Sequence, residues 1–171
     1  TSDHGSQFGS HGIGSKRQPF EESVRTPFMV YAPGRVSAGG STHALMGAPD
    51  VMPTLCGLAG ISVPATCAGR DFSGHIVHGK GPEPDAQLIM HISKNNASGG
   101  QRHPAPLFRG VRTRRHTYTV NEEGPFHLFD NQEDPYQMSN LVAAPEHASL
   151  RADLHGRLAE LLAAAEDPFP V

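Results

Sequence analysis

Four glycines, Gly5, Gly9, Gly12 and Gly14, are scattered through the first sixteen residues and leave no apolar periodicity there. The stretch is therefore expected to be a loop, not a helix or a strand, and a long loop inside a compact domain is usually functional. Asp3 and His4 stand side by side at its start, followed at once by Gly5. Neighbouring side chains on a strand point to opposite faces. An adjacent acid and imidazole converge on one ion only where the strand has ended and the backbone turns, which Gly5 permits. A carboxylate beside an imidazole suits a divalent cation, and open α/β sheets bind ligands beyond the carboxyl ends of their strands. Asp-His-Gly alone is equally compatible with ordinary surface-loop chemistry. Lys16 closes the loop, either as a compact cation offsetting charge on an anionic group or as a solvated lysine. His11 is either a proton donor facing the same pocket or a surface histidine.

Beyond the loop, Val24–Tyr31 reads as a short apolar strand with Pro27 near its start and Pro33-Gly34 closing it. Pro49–Ala59 reads as a helix beginning near Ala48 and stopping at Gly60, with Val51, Leu55, Leu58 and Ala59 as a core stripe. Cys56 is expected as a small core residue on it. Residues 62–86 read as a solvated loop, in which His75-x-x-His78 lacks a third ligand nearby. Gln87–Ile92 is expected as a buried strand, Asn95–Gly100 as a turn-rich loop, and His103 beyond it as a possible cleft residue. Leu107–Thr113 and Thr117–Val120 form a hairpin pattern, Phe126–Phe129 a further strand, and Pro145 opens a helix striped by Leu150, Leu154, Leu158, Leu161 and Leu162. The arginines of the hairpin alternate with acids, as expected of a solvated sheet face.

At 171 residues the chain suffices for one compact domain with a core. A net charge of −3 gives no reason to expect nucleic acid or an anionic membrane as partner. No run approaches the ~20 apolar residues of a membrane-spanning helix, and nothing assigns a compartment.

Ser2-Asp3-His4-Gly5, Gly9-Ser10-His11-Gly12 and Gly14-Ser15-Lys16, followed by Phe20-Glu21-Glu22-Ser23-Val24-Arg25-Thr26-Pro27, resemble the sulfatase family. The likeness continues through Tyr31–Arg35, Pro49–Leu55, Arg109–Thr113 and Leu128–Leu141, in the order of the C-terminal part of such an enzyme. The resemblance implies an α/β class chain, the C-terminal part of an alkaline-phosphatase-like sulfatase fold. Residues 1–86 would end the catalytic α/β domain, and residues 87–171 would form a small subdomain of antiparallel sheet packed by a C-terminal helix. It implies hydrolysis of sulfate esters, with Asp3 and His4 as metal ligands and Lys16 as a sulfate contact. The family commonly binds calcium where asparagine replaces His4. An imidazole is a poorer calcium ligand than an oxygen, which brings in manganese or another transition ion, with magnesium as a further alternative, and a histidine there also resembles the phosphonate monoester and phosphodiester hydrolases of the same superfamily. The family nucleophile is a formylglycine made from Cys/Ser-x-Pro/Ala-x-Arg. Neither Cys56 nor Cys67 has those offsets, and Thr66-x-Ala68-x-Arg70 has the spacing but the wrong residue. The nucleophile and the N-terminal metal carboxylates are therefore expected upstream of this chain. The missing N-terminal part of the catalytic domain is then its partner, and the isolated chain is expected to be inactive, whether as a fragment, a split half or a non-catalytic remnant.

Overall fold

The computed structural model describes residues 1–14, 16–93 and 106–171. Expectations that fall on 94–105, the Asn95–Gly100 loop and His103, lie outside the described residues. The chain forms two compact units: Thr1–Pro27 with Leu88–Val171, and Phe28–Gln87. This grouping follows packing and not chain order, so it differs from the division at residue 86 read from the sequence.

The first unit is built on a four-stranded sheet ordered β1-β2-β3-β4: β1 Ala86–His91, β2 Phe108–Thr113, β3 His116–Asn121 and β4 Gly124–Asp130. β2 pairs antiparallel with β3 in a register that sets Val111 opposite Tyr118, and β3 pairs antiparallel with β4 across an irregularity between Thr119 and Val120. The small antiparallel sheet and closing helix expected from the sequence are therefore present. That helix, labelled α4, runs Ala148–Ala164 after a 3-10 turn over Pro145–His147 and packs on β2 and β3. Leu154, Leu158 and Leu162 are its buried face, and with Val111, Val120, Tyr118 and Leu128 they make the core. Gly110 is fixed by that packing, because a Cβ there would lie 2.7 Å from Tyr118 O and from Thr119 Cγ2.

Two details of this unit depart from expectation. A buried strand is expected at 87–92, and β1 forms there, but it lies at the sheet edge and leaves Met90 and Ile92 43% and 68% exposed. The hairpin arginines do not all line a solvated face. Arg109 is buried: Nε donates to Asp167 Oδ2 at 2.6 Å, Nη2 donates to Oδ1 at 3.3 Å, and the guanidinium lies 4.5 Å from the Phe169 ring centroid. That fork holds the Asp167 carboxyl below its ordinary range and fastens the end of the chain to β2.

In the second unit, α2 Val51–Ala59 follows a 3-10 turn at Ala48–Asp50 and stops at Gly60, which takes the left-handed conformation at φ 70°. Buried Asp50 accepts hydrogen bonds from Gly47 N at 2.8 Å and Arg70 N at 2.7 Å, tying the turn to the following loop. Cys56 is buried and free, as expected. The core stripe is not as expected. Pro53, Thr54 and Cys56 face inward, while Leu55 is 50% exposed and Met52 and Ala59 are exposed with it. The helix is thus apolar on both faces and has packing for one.

Residues 62–86 are not wholly loop. α3 Ser73–His78 forms on buried Phe72 and His75, and a His75 ring nitrogen bonds Pro82 O at 2.6 Å. The flanking glycines hide this helix in the sequence, and Gly79 ends it at φ 68°. The strand expected at Val24–Tyr31 does not form. Val24 closes the one-turn helix α1 Glu21–Val24, and no ladder partner exists for 25–32 among the described residues. Met29 and Tyr31 there are 82% and 92% exposed.

Candidate active site

Asp3, His4 and Lys16 come together. Asp3 Oδ2 lies 3.0 Å from His4 Nε2, and Lys16 Nζ lies 2.8 Å from the same nitrogen. The other ring nitrogen, Nδ1, lies 2.9 Å from Gly5 O, which can only accept, so Nδ1 carries the hydrogen and donates it. Nε2 is therefore left with its lone pair, and Lys16 donates to it. This is the tautomer required of an imidazole ligating through Nε2, with the second nitrogen anchored on a carbonyl.

Two acceptors, a carboxylate oxygen and an imidazole lone pair, repel at 3.0 Å unless a cation lies near both. The ammonium of Lys16 meets the imidazole side of this pair, 2.8 Å from Nε2. Two donors each about 2.1 Å from one ion and at right angles lie about 3 Å apart, so the Asp3–His4 spacing fits a shared divalent cation. The shell is only partial. Among the described residues no group of three His, Cys, Asp or Glu side chains could hold a metal, and the pair is open to solvent, with side chains 81% and 40% exposed for Asp3 and His4.

The backbone beneath the pair is pressed against α1. Gly5 N donates to Ser23 O at 2.9 Å, and a Cβ on Gly5 would lie 1.9 Å from Glu22 O. Gln7, buried in the following loop, accepts from Ser23 Oγ at 3.0 Å while its Nε2 meets no partner. Helix α1 is gripped in turn by the sheet. Arg112 of β2 donates to both Glu21 oxygens, at 2.7 and 3.0 Å, and Glu21 N donates to Gln137 Oε1 at 2.7 Å.

His11 makes its contacts with Phe20 and Glu22. Its ring stacks on Phe20 with centroids 3.7 Å apart, and its Nε2 lies 3.8 Å from Glu22 Oε1. Phe20 leads on to His127 and Phe129 of β4. Arg25 lies 4.0 Å from Glu21 Oε2 but is largely exposed, so the tight partner of Glu21 is Arg112, 91 positions away. No local pattern signals a pairing at that separation, and sequence reading does not find Arg112, Gln137 or Gln7.

A family profile described as N-sulphoglucosamine sulphohydrolase, C-terminal, matches residues 9–164. Among curated proteins the chain is 36% identical over 175 residues to an ulvan-active sulfatase of Formosa agariphila, covering 99% of this chain and 33% of that protein. It is 30% identical to an endo-4-O-sulfatase of Bacteroides thetaiotaomicron, covering 98% of this chain and 35% of that protein. Among solved structures it resembles a protein held with its substrate D-glucosamine-2-N,6-O-disulfate, at TM-score 0.80 and 25% identity over 99% of this chain and 34% of that one. The phosphonate monoester hydrolase of Agrobacterium radiobacter is further off, at TM-score 0.55 and 71% of this chain. The chain spans about a third of the length of the curated relatives it matches. With the small sheet and closing helix, and the profile running through nearly the whole length, the chain belongs to the sulfatase family and corresponds to its C-terminal part.

Proposed function

We propose that this chain is the C-terminal part of a sulfate ester hydrolase. In this reading Asp3 and His4 supply half the shell of a divalent cation and Lys16 meets the sulfate. The observation that carries it is the convergence of Asp3 Oδ2 and Lys16 Nζ on the unprotonated Nε2 of His4, at 3.0 and 2.8 Å. Lys16 holds the same lone pair a metal would use, so a metal ion and the ammonium compete for it, and an ion that wins leaves the lysine free for the anion. Bound, the cation supplies Lewis-acid polarisation of the ester. Calcium is the first candidate, manganese is brought in by the imidazole donor, and magnesium is the remaining alternative. For His11, proposed as the second catalytic group, the support is its place in the same Gly-rich loop, with Nε2 3.8 Å from Glu22 Oε1.

The formylglycine nucleophile and the remaining metal ligands are assigned to the missing N-terminal part of the catalytic domain, which residues 1–86 would complete and to which 87–171 would be appended. The outward apolar stripe Met52, Leu55, Ala59 supports such a partner, since it has the helical spacing of a core face. A second reading, a phosphonate monoester or phosphodiester hydrolase, draws on the imidazole at position 4 and on the structural likeness to the Agrobacterium enzyme.

Two measurements on the complete enzyme test this. Asp3→Ala should lower bound metal and abolish turnover; unchanged metal content would overturn the ligand assignment. Wild-type kcat/KM should be higher for an aryl sulfate than for an aryl phosphonate monoester, and the reverse order selects the second reading.

A further inference from the structure

We propose that Ser23 and Gln7, tied to the small sheet through Glu21, Arg112 and Gln137, are positioning residues for the Asp3–His4 pair; this rests on the metal reading above. The argument begins with helix α1. At four residues, Glu21–Val24, it is far below the length at which a helix persists unaided. Its place must be imposed from outside, and two sets of bonds impose it.

From the sheet side, Arg112 grips the Glu21 carboxylate with two parallel N–H donors, and both side chains are mostly buried. Such a fork fixes direction as well as distance. Gln137 accepts from the otherwise free N–H at the helix start, and its own amide donates to Asn131 Oδ1 at 2.8 Å and to the buried Thr117 hydroxyl at 3.4 Å. From the loop side, Ser23 is the only α1 residue buried among those described, and it makes two bonds at once. Its carbonyl receives Gly5 N–H, and its hydroxyl donates to Gln7. Gly5 is also the residue whose carbonyl receives His4 Nδ1–H. The bonds thus run from β2 to Glu21, along one helical turn to Ser23, and through Gly5 to the ring that presents Nε2.

Ser23, Gln7, Glu21, Arg112 and Gln137 form no hydrogen bond or ion pair with the Asp3, His4 or Lys16 side chains, so their effect on the pair is indirect, through Gly5. Removing Ser23 Oγ would leave the Gln7 side chain without either partner in a buried pocket, loosening the loop two residues after Gly5 while the Gly5 N–Ser23 O bond stays. Partners one step behind a ligand typically change metal affinity or activity by about 10–100-fold when lost; Ser23 stands one step further back, through Gly5, so the lower end of that range applies.

The test uses the complete enzyme, stripped of metal and titrated with Mn2+ alone, alongside kcat, KM and melting temperature. Ser23→Ala should weaken Mn2+ binding by about 10-fold or more and lower kcat with little change in KM. Arg112→Lys, which keeps the charge and loses the fork, reads the same link from the sheet and should shift both quantities in the same direction, so it decides the matter if Ser23→Ala fails to fold. Melting temperature lowered in either variant with Mn2+ affinity and kcat unchanged would reduce these residues to structural roles and overturn the proposal. Asp3→Ala run in parallel separates the two failures: if it too leaves Mn2+ affinity unchanged, the metal assignment falls and not the positioning.

Discussion

His127 shows how one side chain couples this fold to pH. It lies on β4 between Phe20, Phe126 and Phe129, and burial, with His11 nearby adding to it, pushes its imidazole down to about 4. In the unfolded chain the same group returns to about 6.5. The unfolded state therefore binds the extra proton between those values, and stability falls as pH drops through that window. We expect unfolding free energy to decrease by roughly 2 kcal/mol between pH 7 and pH 5 from this residue alone. His127→Phe should flatten the profile, as read by urea denaturation at the two pH values. A wild-type profile already flat would contradict the assignment. Asp130 responds at lower pH: the Arg115 guanidinium holds its carboxyl at about 2, so that contribution is present above about pH 4 and is lost below it.

At the scale of elements, stability of the first unit depends on α4. Leu158 is fully buried at the centre of its stripe, between Leu154 and Leu162. Leu158→Ala should cost about 2–5 kcal/mol through lost burial and the cavity left behind, seen as a lower denaturation midpoint. Leu161→Ala, on the half-buried edge of the stripe, should cost less. This helix and the β2–β3–β4 meander were legible in the sequence because their signals are local: leucines at helical spacing, alternating strands, and a turn at Arg114-Arg115. The Asp3–His4–Lys16 cluster was legible for the same reason, as acid, imidazole and ammonium share one short loop. What the sequence hid was set at long range. Glu21 takes Arg112 from 91 positions away over its neighbour Arg25, and α3 is dictated by Phe72 and His75 turning inward despite flanking glycines. The strand pattern at 24–31 fails differently, since a strand exists only where a neighbour completes its ladder.

At the scale of the whole molecule, the proposed metal shell is partial and some apolar surface is left uncovered. α2 and the 25–32 segment expose apolar side chains that the sequence pattern marks as interior. The 171-residue chain by itself should therefore show no aryl sulfate turnover above background, and robust turnover by the pure chain would overturn the division of labour proposed here. Leu55→Glu provides a companion measurement. It should leave the melting temperature of this chain nearly unchanged, because Leu55 is already half in water, yet destabilise the complete enzyme, where the stripe would be covered. Equal effects in both contexts would mean that nothing docks on that face.

The contact between Gly5 and the carbonyl of Glu22 limits how this motif can be transplanted. A protein engineer who copies Ser-Asp-His-Gly onto another scaffold takes the chemistry without the oxygen it rests on, since the tetrapeptide is shaped by a backbone atom seventeen positions downstream. The smallest portable version would run from Ser2 to Val24 with an arginine facing position 21, and grafts shorter than that should yield a flexible acidic loop in place of a chelating one.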